Sequence, residues 1–343
     1  MLNTCFMIHL VVEWMKKQLK KLFSYLFSKK SSNYIQAIID AANNKGYVES
    51  YSNKADSLHL SIKRLYEEDI QSGFIAIMKK LASRFRKNKV RLAVDFQEHG
   101  FYGETNNFYI IGTSYEGKPY PKAFRFITVS ILTGNKDERI PLYALPWHIG
   151  QDIVESVNVL VKVIRPWLGK IEVIQFDRGF YQKMLIKYLE ENKIPYLIHI
   201  KKNGRYLKEL IKNTGEFYKC KYKLKVNMNK SCFITATNLY VCKSIEKKDW
   251  LFVSSLDFRD KYGVRNMYRN RWQIETNYAV HNSVRIMSRS TNYIVRYFYY
   301  IVDILLQVLW RLCSCKIPFR TFMFSMVIGV DNMLMRKPCL RFT

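Results

Sequence analysis

The chain of 343 residues lacks the cysteine spacing of a zinc site and has few acidic residues for its size. Its seven cysteines include no Cys-x-x-Cys pair, and Cys313 and Cys315 are too close together for an ordinary zinc knuckle. An odd number of cysteines without a regular framework favours reduced, buried thiols in a cytoplasmic protein. The cysteine pattern therefore argues against structural zinc.

The sequence also lacks an uncharged apolar run of membrane-spanning length. Residues 1–12 are apolar, but no basic region precedes them and no small-residue cleavage site follows, so an amphipathic helix is predicted there. Residues 294–312 have the length of a membrane span, yet they include Arg296, Asp303 and Arg311, which are costly at a bilayer centre. We expect a buried core helix there and no membrane partner.

Basic residues are abundant: 56 lysines and arginines stand against 28 acidic residues, a formal net charge of +28. With 48% hydrophobic and 15% aromatic residues, the chain is predicted to fold. Binding to a polyanion offsets the self-repulsion of such a charge, and nucleic acid is the commonest polyanion. A solubilising surface or attraction to an acidic membrane remains the alternative.

Hydrophobic periodicity predicts an α/β protein. Residues 1–88 have the spacing of helices, followed by strand-like runs at 90–96, 107–114 and 124–132 that suggest an antiparallel meander. A helix at 151–164, a strand at 171–176, a helix at 181–192 and a strand at 196–200 come next. The order βββαβαβ is that of a ribonuclease H-like fold with a mixed sheet.

Four parts are predicted along the chain. They are a helical N-terminal region (1–88), a ribonuclease H-like core in two segments (89–202 and 251–315), a β-rich insertion (203–250) and a C-terminal tail (316–343). Within the second core segment we expect a strand at 250–256, a long polar helix at 261–289 and the apolar helix at 294–312.

Two aspartates follow hydrophobic strands that would be neighbours in this sheet. Asp95 ends the first predicted strand and Asp177 follows the fourth. Adjacent carboxylates repel each other, and a divalent cation such as Mg²⁺ or Mn²⁺ removes that repulsion. Two ions about 4 Å apart can support phosphodiester chemistry. Alternatively, Asp177 caps the helix near Tyr181 and Asp95 is a turn residue.

The predicted helix at 261–289 offers a third carboxylate. Tyr268, Arg271, Glu275 and Asn282 are three, four and seven residues apart, so they lie near one helical stripe. Glu275 on this stripe would point into the site beside two phosphate-binding side chains. A solvated face with an Arg271–Glu275 pair fits the spacing equally well.

The segment Tyr-Arg-Asn-Arg-Trp-Gln-Ile-Glu-Thr at 268–276 resembles the helix signature of insertion-sequence DDE transposases. The resemblance is to the insertion-sequence-four type with its YREK-like signature, particularly the archaeal halophile-like branch. The segments around Asp95 and Asp177 look like those that carry this family's first and second aspartate. The resemblance covers about residues 90–290.

This resemblance implies a metal-binding catalytic triad of Asp95, Asp177 and Glu275. It also implies DNA-phosphate contacts from Tyr268 and Arg271. The family's lysine seven residues after the glutamate is Asn282 here, which puts that contact in doubt unless Arg285 replaces it.

Three nearby side chains stay outside the triad. Trp272 either packs in the core or stacks on an unpaired base. Because two-metal phosphoryl transfer requires no histidine ligand, His99 and His148 are taken as structural.

The implied activity is hydrolysis at transposon ends with two Mg²⁺ or Mn²⁺ ions, followed by 3′-hydroxyl strand transfer into target DNA. The expected partners are double-stranded DNA and a second copy of the chain, in a nucleoid-associated, cytoplasmic homodimer without a nucleotide cofactor. Residues 1–88 are expected to bind DNA ends. A related nuclease without strand transfer and an inactive DNA-binding remnant are the alternatives.

Overall fold

The computed structural model describes residues 2–27, 32–104, 107–113, 117–132, 139–228, 231–243, 249–269, 271, 284–313 and 318–335. They form two compact units. Unit 1 comprises Met1–Leu81, Gly103–Asn106 and Thr276–Thr343, and unit 2 comprises Ala82–Tyr102 and Asn107–Glu275.

The described helices and strands follow one another along the chain in this order. They are α1 (Leu2–Leu26), α2 (Ser32–Asn44), α3 (Ala55–Lys63), α4 (Glu67–Ala82), β1 (Val90–Phe101), β2 (Ile110–Gly112), β3 (Lys122–Leu132), β4 (Arg139–Trp147), α5 (Ile153–Ile164), β5 (Ile171–Phe176), α6 (Lys183–Glu191), β6 (Tyr196–Ile200), α7 (Arg205–Asn213), β7 (Phe217–Met228), β8 (Ser231–Cys242), β9 (Trp250–Ser254), α8 (261–269), α9 (Tyr293–Leu312) and α10 (Phe319–Met335).

Unit 1 is helical, and α9 lies at its core. This helix is the one described segment long and apolar enough to cross a membrane, yet 94% of its apolar window is buried inside the structure. The aromatic ring of Phe298 in α9 packs edge-on against Phe23 of α1 at 5.7 Å. Asn292 caps the helix by accepting hydrogen bonds from the backbone N–H groups of Ile294 and Val295. The prediction of a buried core helix at 294–312 agrees with this packing.

Unit 2 is built on one nine-stranded mixed sheet in the order β2-β3-β1-β5-β6-β9-β8-β7, with β4 pairing to β3. The central strands β1, β5 and β6 are parallel, while β3 and β9 run antiparallel to their neighbours. Helix α5 buries Ile153, Val157 and Leu160 as its periodicity predicts. The predicted α/β class with a mixed sheet is confirmed.

Strand β4 was missed by the sequence prediction. Its residues include Pro141 and Pro146, which normally argue against a strand because proline donates no ladder hydrogen bond. Among the described residues β4 pairs with β3 alone, and the register shifts beside the Ser130–Pro141 pair. Proline is tolerated at such an edge position because no ladder hydrogen bond is lost there. Eight of the nine residues of β4 are buried.

The predicted helix at 261–289 is wrong at its C-terminal end. Residues 284–289 are not helical. Their backbone instead hydrogen-bonds to the helical N-terminal part of unit 1, to which they also belong: the N–H groups of Arg285 and Met287 donate to the carbonyls of Ala42 and Gly46. The Ile286 N–H donates to the buried Asp303 carboxylate at 3.2 Å. These tertiary hydrogen bonds replace the helical ones that the sequence pattern predicted.

Candidate active site

Asp95 and Asp177 lie side by side where the parallel pairing of β1 and β5 ends. The last registered pair of these strands is Val94 with Phe176, and each aspartate is the next residue of its chain segment. Both carboxylates therefore occupy the same edge of the central sheet, as predicted. Asp95 is not at the end of its strand, however, because β1 continues to Phe101 in antiparallel pairing with β3.

The alternative structural roles of the two aspartates do not match the structure. Asp95 is no turn residue, since it pairs across the sheet with Thr128. Asp177 precedes a short 3₁₀ turn over Arg178–Phe180, but its side chain makes no capping hydrogen bond there. Its carboxylate instead accepts a 3.4 Å hydrogen bond from the Tyr268 hydroxyl.

Helix α8 brings Tyr268 to this edge, and Arg271 lies two residues beyond the last residue of α8. The buried Gln175 side chain on β5 donates a 2.9 Å hydrogen bond to the Met267 carbonyl, which fixes the helix against the sheet. Tyr268 is packed among aromatic rings, with its centroid 5.0 Å from Phe252 and 5.5 Å from His199. The side chains of Tyr268 and Arg271 are both almost fully buried, so the surrounding residues restrict their positions.

The Arg271 guanidinium faces both aspartates. Its two terminal nitrogens lie 3.4 Å from Asp95 Oδ2 and 3.3 Å from Asp177 Oδ1. Its guanidinium carbon is also 5.2 Å from the centre of the Tyr268 ring. Because tight charge-assisted hydrogen bonds are about 2.7–2.9 Å long, the arginine holds the carboxylates loosely. The Arg271 guanidinium thus lies between the two aspartate carboxylates and within 3.4 Å of each.

Burial controls the electrostatics of this cluster. It raises the pKa of Asp95 above its ordinary value, against the opposing influence of Arg271 and Arg139, and Asp177 adds to the increase. Burial likewise raises the pKa of the Tyr268 hydroxyl, which stays protonated and can donate to an anion. Burial disfavours the charged form of Arg271, but Tyr268, Asp177 and Asp95 together raise its pKa. The site therefore combines two carboxylates with a buried guanidinium and a protonated phenol that can donate hydrogen bonds to them.

The other predicted site residues are placed as follows. Glu275, Trp272 and Asn282 lie outside the described residues. Arg285 belongs to unit 1, in the non-helical segment that hydrogen-bonds to Ala42. His148 turns its ring nitrogen Nδ1 to the Ile149 carbonyl at 2.9 Å.

His99, which the sequence analysis also took as structural, is buried with its ring against Phe126.

His199 and a basic cavity beside it were missed by the sequence analysis. A cavity of ≈ 570 Å³ lies against the β6 end, lined by Arg178, Lys201, Lys202, His199 and Trp250 among others. Burial lowers the pKa of His199 to about 4, so the ring is neutral at physiological pH. Strand β6 pairs in parallel with β5, and His199 follows the last pair, Phe176 with Ile198. The carboxyl ends of parallel strands meet at one edge of a sheet, so the argument that predicted Asp95 and Asp177 there could also have predicted His199.

The donor chemistry of the site fits a hard divalent ion. Carboxylate oxygens are the ligands that Mg²⁺ and Mn²⁺ prefer, and Asp95 and Asp177 already share one cationic neighbour. Within the described ranges no cluster of three or more histidine, cysteine, aspartate or glutamate side chains forms a complete metal site. A third carboxylate would have to come from a residue outside them.

Comparisons with known proteins agree with this chemistry. Residues 153–296 match the family model described as the transposase DDE domain. The matched region is less than half of the chain and includes Asp177, Tyr268 and Arg271, whereas Asp95 precedes it. No curated protein is similar enough in sequence to count as a relative.

The fold is similar to that of piggyBac transposase in the cryo-EM structure of its synaptic complex with hairpin DNA. The two chains are 14% identical with a TM-score of 0.60, over 99% of this chain and 82% of the other. At this identity the likeness shows the fold, which is of the ribonuclease H-like type. Together with the family match, it supports a DDE transposase.

Proposed function

We propose that this protein is the transposase of an insertion sequence, of the insertion-sequence-four type and nearest its archaeal halophile-like branch. The observation that carries the proposal is the convergence of Asp95 and Asp177 on the Arg271 guanidinium at the edge of the central sheet. Two carboxylates that converge on one guanidinium suit metal-dependent phosphodiester chemistry, because a divalent cation can neutralise both, whereas Arg271 has a single charge and Arg139 adds a further positive influence on Asp95.

Asp95, Asp177 and Glu275 would hold two Mg²⁺ or Mn²⁺ ions. When bound, such ions supply Lewis acidity for the attacking and the leaving oxygen. The protein's own groups then position the DNA. Arg271 and the Tyr268 hydroxyl donate hydrogen bonds to a phosphate, and α8 holds both donors rigid through the Gln175–Met267 hydrogen bond. Arg285 and Trp272 are further candidates for DNA contact.

The reaction proceeds in two phosphoryl transfers. In the first, a water oxygen attacks the phosphorus at the transposon end as the P–O3′ bond breaks; the attacking water loses a proton, and the departing O3′ takes one up. This step releases a 3′-hydroxyl and a 5′-phosphate. In the second, that 3′-hydroxyl attacks a target phosphodiester, forming one P–O bond as the target P–O3′ bond breaks. The number of phosphodiester bonds is conserved in the second step, so no nucleotide cofactor is needed.

Duplex DNA is the proposed partner, as transposon end and as target. The net charge of +28 favours a polyanion, and the similar piggyBac structure is a synaptic complex with hairpin DNA. Pairing of two ends requires at least a homodimer on DNA, with residues 1–88 contributing to end binding. Such a protein would act in the cytoplasm, associated with the nucleoid.

A strand-transfer assay tests this function. The full chain is incubated with Mg²⁺ or Mn²⁺, a labelled duplex that ends in a 3′-hydroxyl, and supercoiled plasmid, the duplex being taken from DNA that flanks the gene. We expect covalent joining of the label to the plasmid. Cleavage without joined product would instead indicate a nuclease, and DNA binding without either product would indicate an inactive remnant.

A further inference from the structure

The β7–β8 hairpin projects beyond the rest of the sheet. Its strands pair over twelve positions, from Phe217–Cys242 to Met228–Ser231. Strand β9 pairs with β8 only at Asn238–Cys242. The distal half of the hairpin is therefore a two-stranded ribbon. Each of its two faces is either covered by other elements of the chain or exposed.

Alternation along β7 gives the hairpin two different faces. One face carries Tyr222 and Leu224, and helices α6 and α7 cover it. Leu224 is buried, Tyr222 stacks on Tyr206 of α7, and Lys187 of α6 lies over the Phe233 ring. The other face carries only lysines between positions 219 and 225. We call this the lysine face: Lys219, Lys221, Lys223 and Lys225.

The lysine face is open toward the hairpin tip, whereas at the sheet end Tyr240 and Asn238, the partners of Lys219 and Lys221, are buried. All four of its lysines are exposed, and Ile234, which is paired with Lys225, is itself 64% exposed. At the sheet end, Lys219 forms an ion pair with Asp257. In the part of the chain that the structure describes, no acidic side chain forms an ion pair with Lys221, Lys223 or Lys225. Three cations thus stand on one strand without an ion-pair partner among the described residues, although the Asp257 carboxylate, whose pKa is lowered chiefly by Lys219, is also influenced by Lys221.

We propose that the lysine face binds the phosphate backbone of duplex DNA without reading its sequence, an inference that rests on the proposed function. Alternate residues of a strand are about 6.6 Å apart. Each DNA strand carries a phosphate per about 3.4 Å of helix axis, so successive lysines are spaced by about two phosphate steps. Lysine recognises phosphate as a point charge. Asn238, which pairs with Lys221 on this face, is buried and donates its amide N–H to the Leu256 carbonyl, so it is not presented to a base edge.

The test compares two triple variants of the full chain. In the first, Lys221, Lys223 and Lys225 are each changed to Gln. In the control, Lys54, Lys162 and Lys170, which are exposed and lie outside the hairpin, are each changed to Gln, so the net charge falls equally. Binding to a fluorescent duplex is measured in EDTA between 50 and 300 mM salt, and thermal melting verifies that both variants fold.

The account predicts that the hairpin variant lowers the slope of log affinity against log salt by about 2.7, or about 0.9 per lysine, equally for transposon-end and unrelated duplexes. The control should lower it by less than 1. Equal slopes for the two variants would overturn the proposal, because net charge alone would then explain binding. Loss of discrimination between the two duplexes would also overturn it. If the unchanged protein bound no duplex at all, the proposed function itself would fail.

Discussion

At the scale of single residues, Arg271 occupies the position in which a metal ion would meet Asp95 and Asp177. Its nitrogens lie within 3.4 Å of both carboxylates, and it is 7% exposed. Removing one partner of a buried ion pair leaves uncompensated charge, which is costly. The arginine therefore stabilises the site as the structure shows it, and under the proposed function it would compete with a metal ion for the same two carboxylates.

This competition predicts the effect of Arg271→Gln. Without DNA, the variant should bind Mn²⁺ about tenfold more tightly than the unchanged protein, because two facing carboxylates lose their resident cation. Isothermal titration calorimetry measures the affinity directly, with Arg271→Lys as the charge-conserving control that should change it little. Weaker Mn²⁺ binding by Arg271→Gln would show instead that the arginine holds the carboxylates in their ligating arrangement.

Asp303 of α9 is a second buried carboxyl, and it belongs to unit 1. One oxygen accepts from the Ile286 N–H, and the other, Oδ2, has no hydrogen-bond partner among the described residues. Burial raises the pKa of Asp303 well above its ordinary value, although the Ile286 hydrogen bond and Arg285 oppose this. The folded protein thus binds the Asp303 proton more tightly than the unfolded chain does.

Because the folded pKa is the higher one, Asp303 should favour folding at low pH. Its contribution should fall by up to about 1.4 kcal/mol per pH unit from about pH 4 to the folded pKa. Asp303→Asn removes this titration, so the variant should gain stability relative to the unchanged protein as pH rises. Urea unfolding between pH 4 and 8 measures it, with the exposed Asp56→Asn as control. A pH-independent difference between Asp303→Asn and the unchanged protein would contradict the account.

At the scale of elements, the sequence predicted best where periodicity and packing agree. Helix α5 and the strand around Asp95 have regular apolar spacing, and both form where expected. Strand β4 escaped prediction because Pro141 and Pro146 obscure its pattern, and edge pairing to β3 compensates for them. The C-terminal end of the helix predicted at 261–289 was wrong because hydrogen bonds to Ala42, Gly46 and Asp303 are invisible in local sequence.

The candidate site was predictable in the same uneven way. The adjacency of Asp95 and Asp177 follows from two parallel strands, and their pairing in the structure bears it out. The helical stripe predicted that Tyr268 and Arg271 share a face, but the sequence could not show that Arg271 spans both carboxylates. That contact depends on the packing of α8 against β5. This packing places Arg271 beside Asp95 and Asp177, which precede it in the sequence by 176 and 94 residues.

The element that orients this helix offers a prediction. Gln175→Met removes the hydrogen bond to the Met267 carbonyl while keeping the side chain's size. Stability should change by less than about 2 kcal/mol, because Gln175 Oε1 is buried without a hydrogen-bond partner in the described ranges and its loss offsets part of the cost.

DNA cleavage by Gln175→Met should nevertheless fall about tenfold, since Tyr268 and Arg271 lose their fixed position. Single-turnover cleavage and urea unfolding of the same preparation separate the two effects. Unchanged cleavage would show that the hydrogen bond does not position the helix. A parallel loss of stability and cleavage would indicate a structural role only.

At the scale of the whole molecule, charge and fold have separate roles. The excess of 28 positive charges would favour binding to a polyanion, without specifying a reaction. The mixed sheet of unit 2 brings the two aspartates together, and its exposed hairpin adds a fixed row of lysines. Unit 1 contains the buried helix α9 and the segment 284–289 that follows the signature region. The proposed reaction depends on Asp95 and Asp177, the two carboxylates that the sheet brings together in this basic chain.

The most direct test of the central claim is single-turnover cleavage of a transposon-end duplex by Asp95→Asn and Asp177→Asn in Mg²⁺. Each change keeps the side chain's shape but removes a charged ligand, so each variant should cleave at least about 10³-fold more slowly while its affinity for DNA in EDTA is retained. Asp56→Asn, on the surface of unit 1, should cleave at the unchanged rate. Cleavage by Asp95→Asn or Asp177→Asn within threefold of the unchanged protein would contradict the assignment of this site.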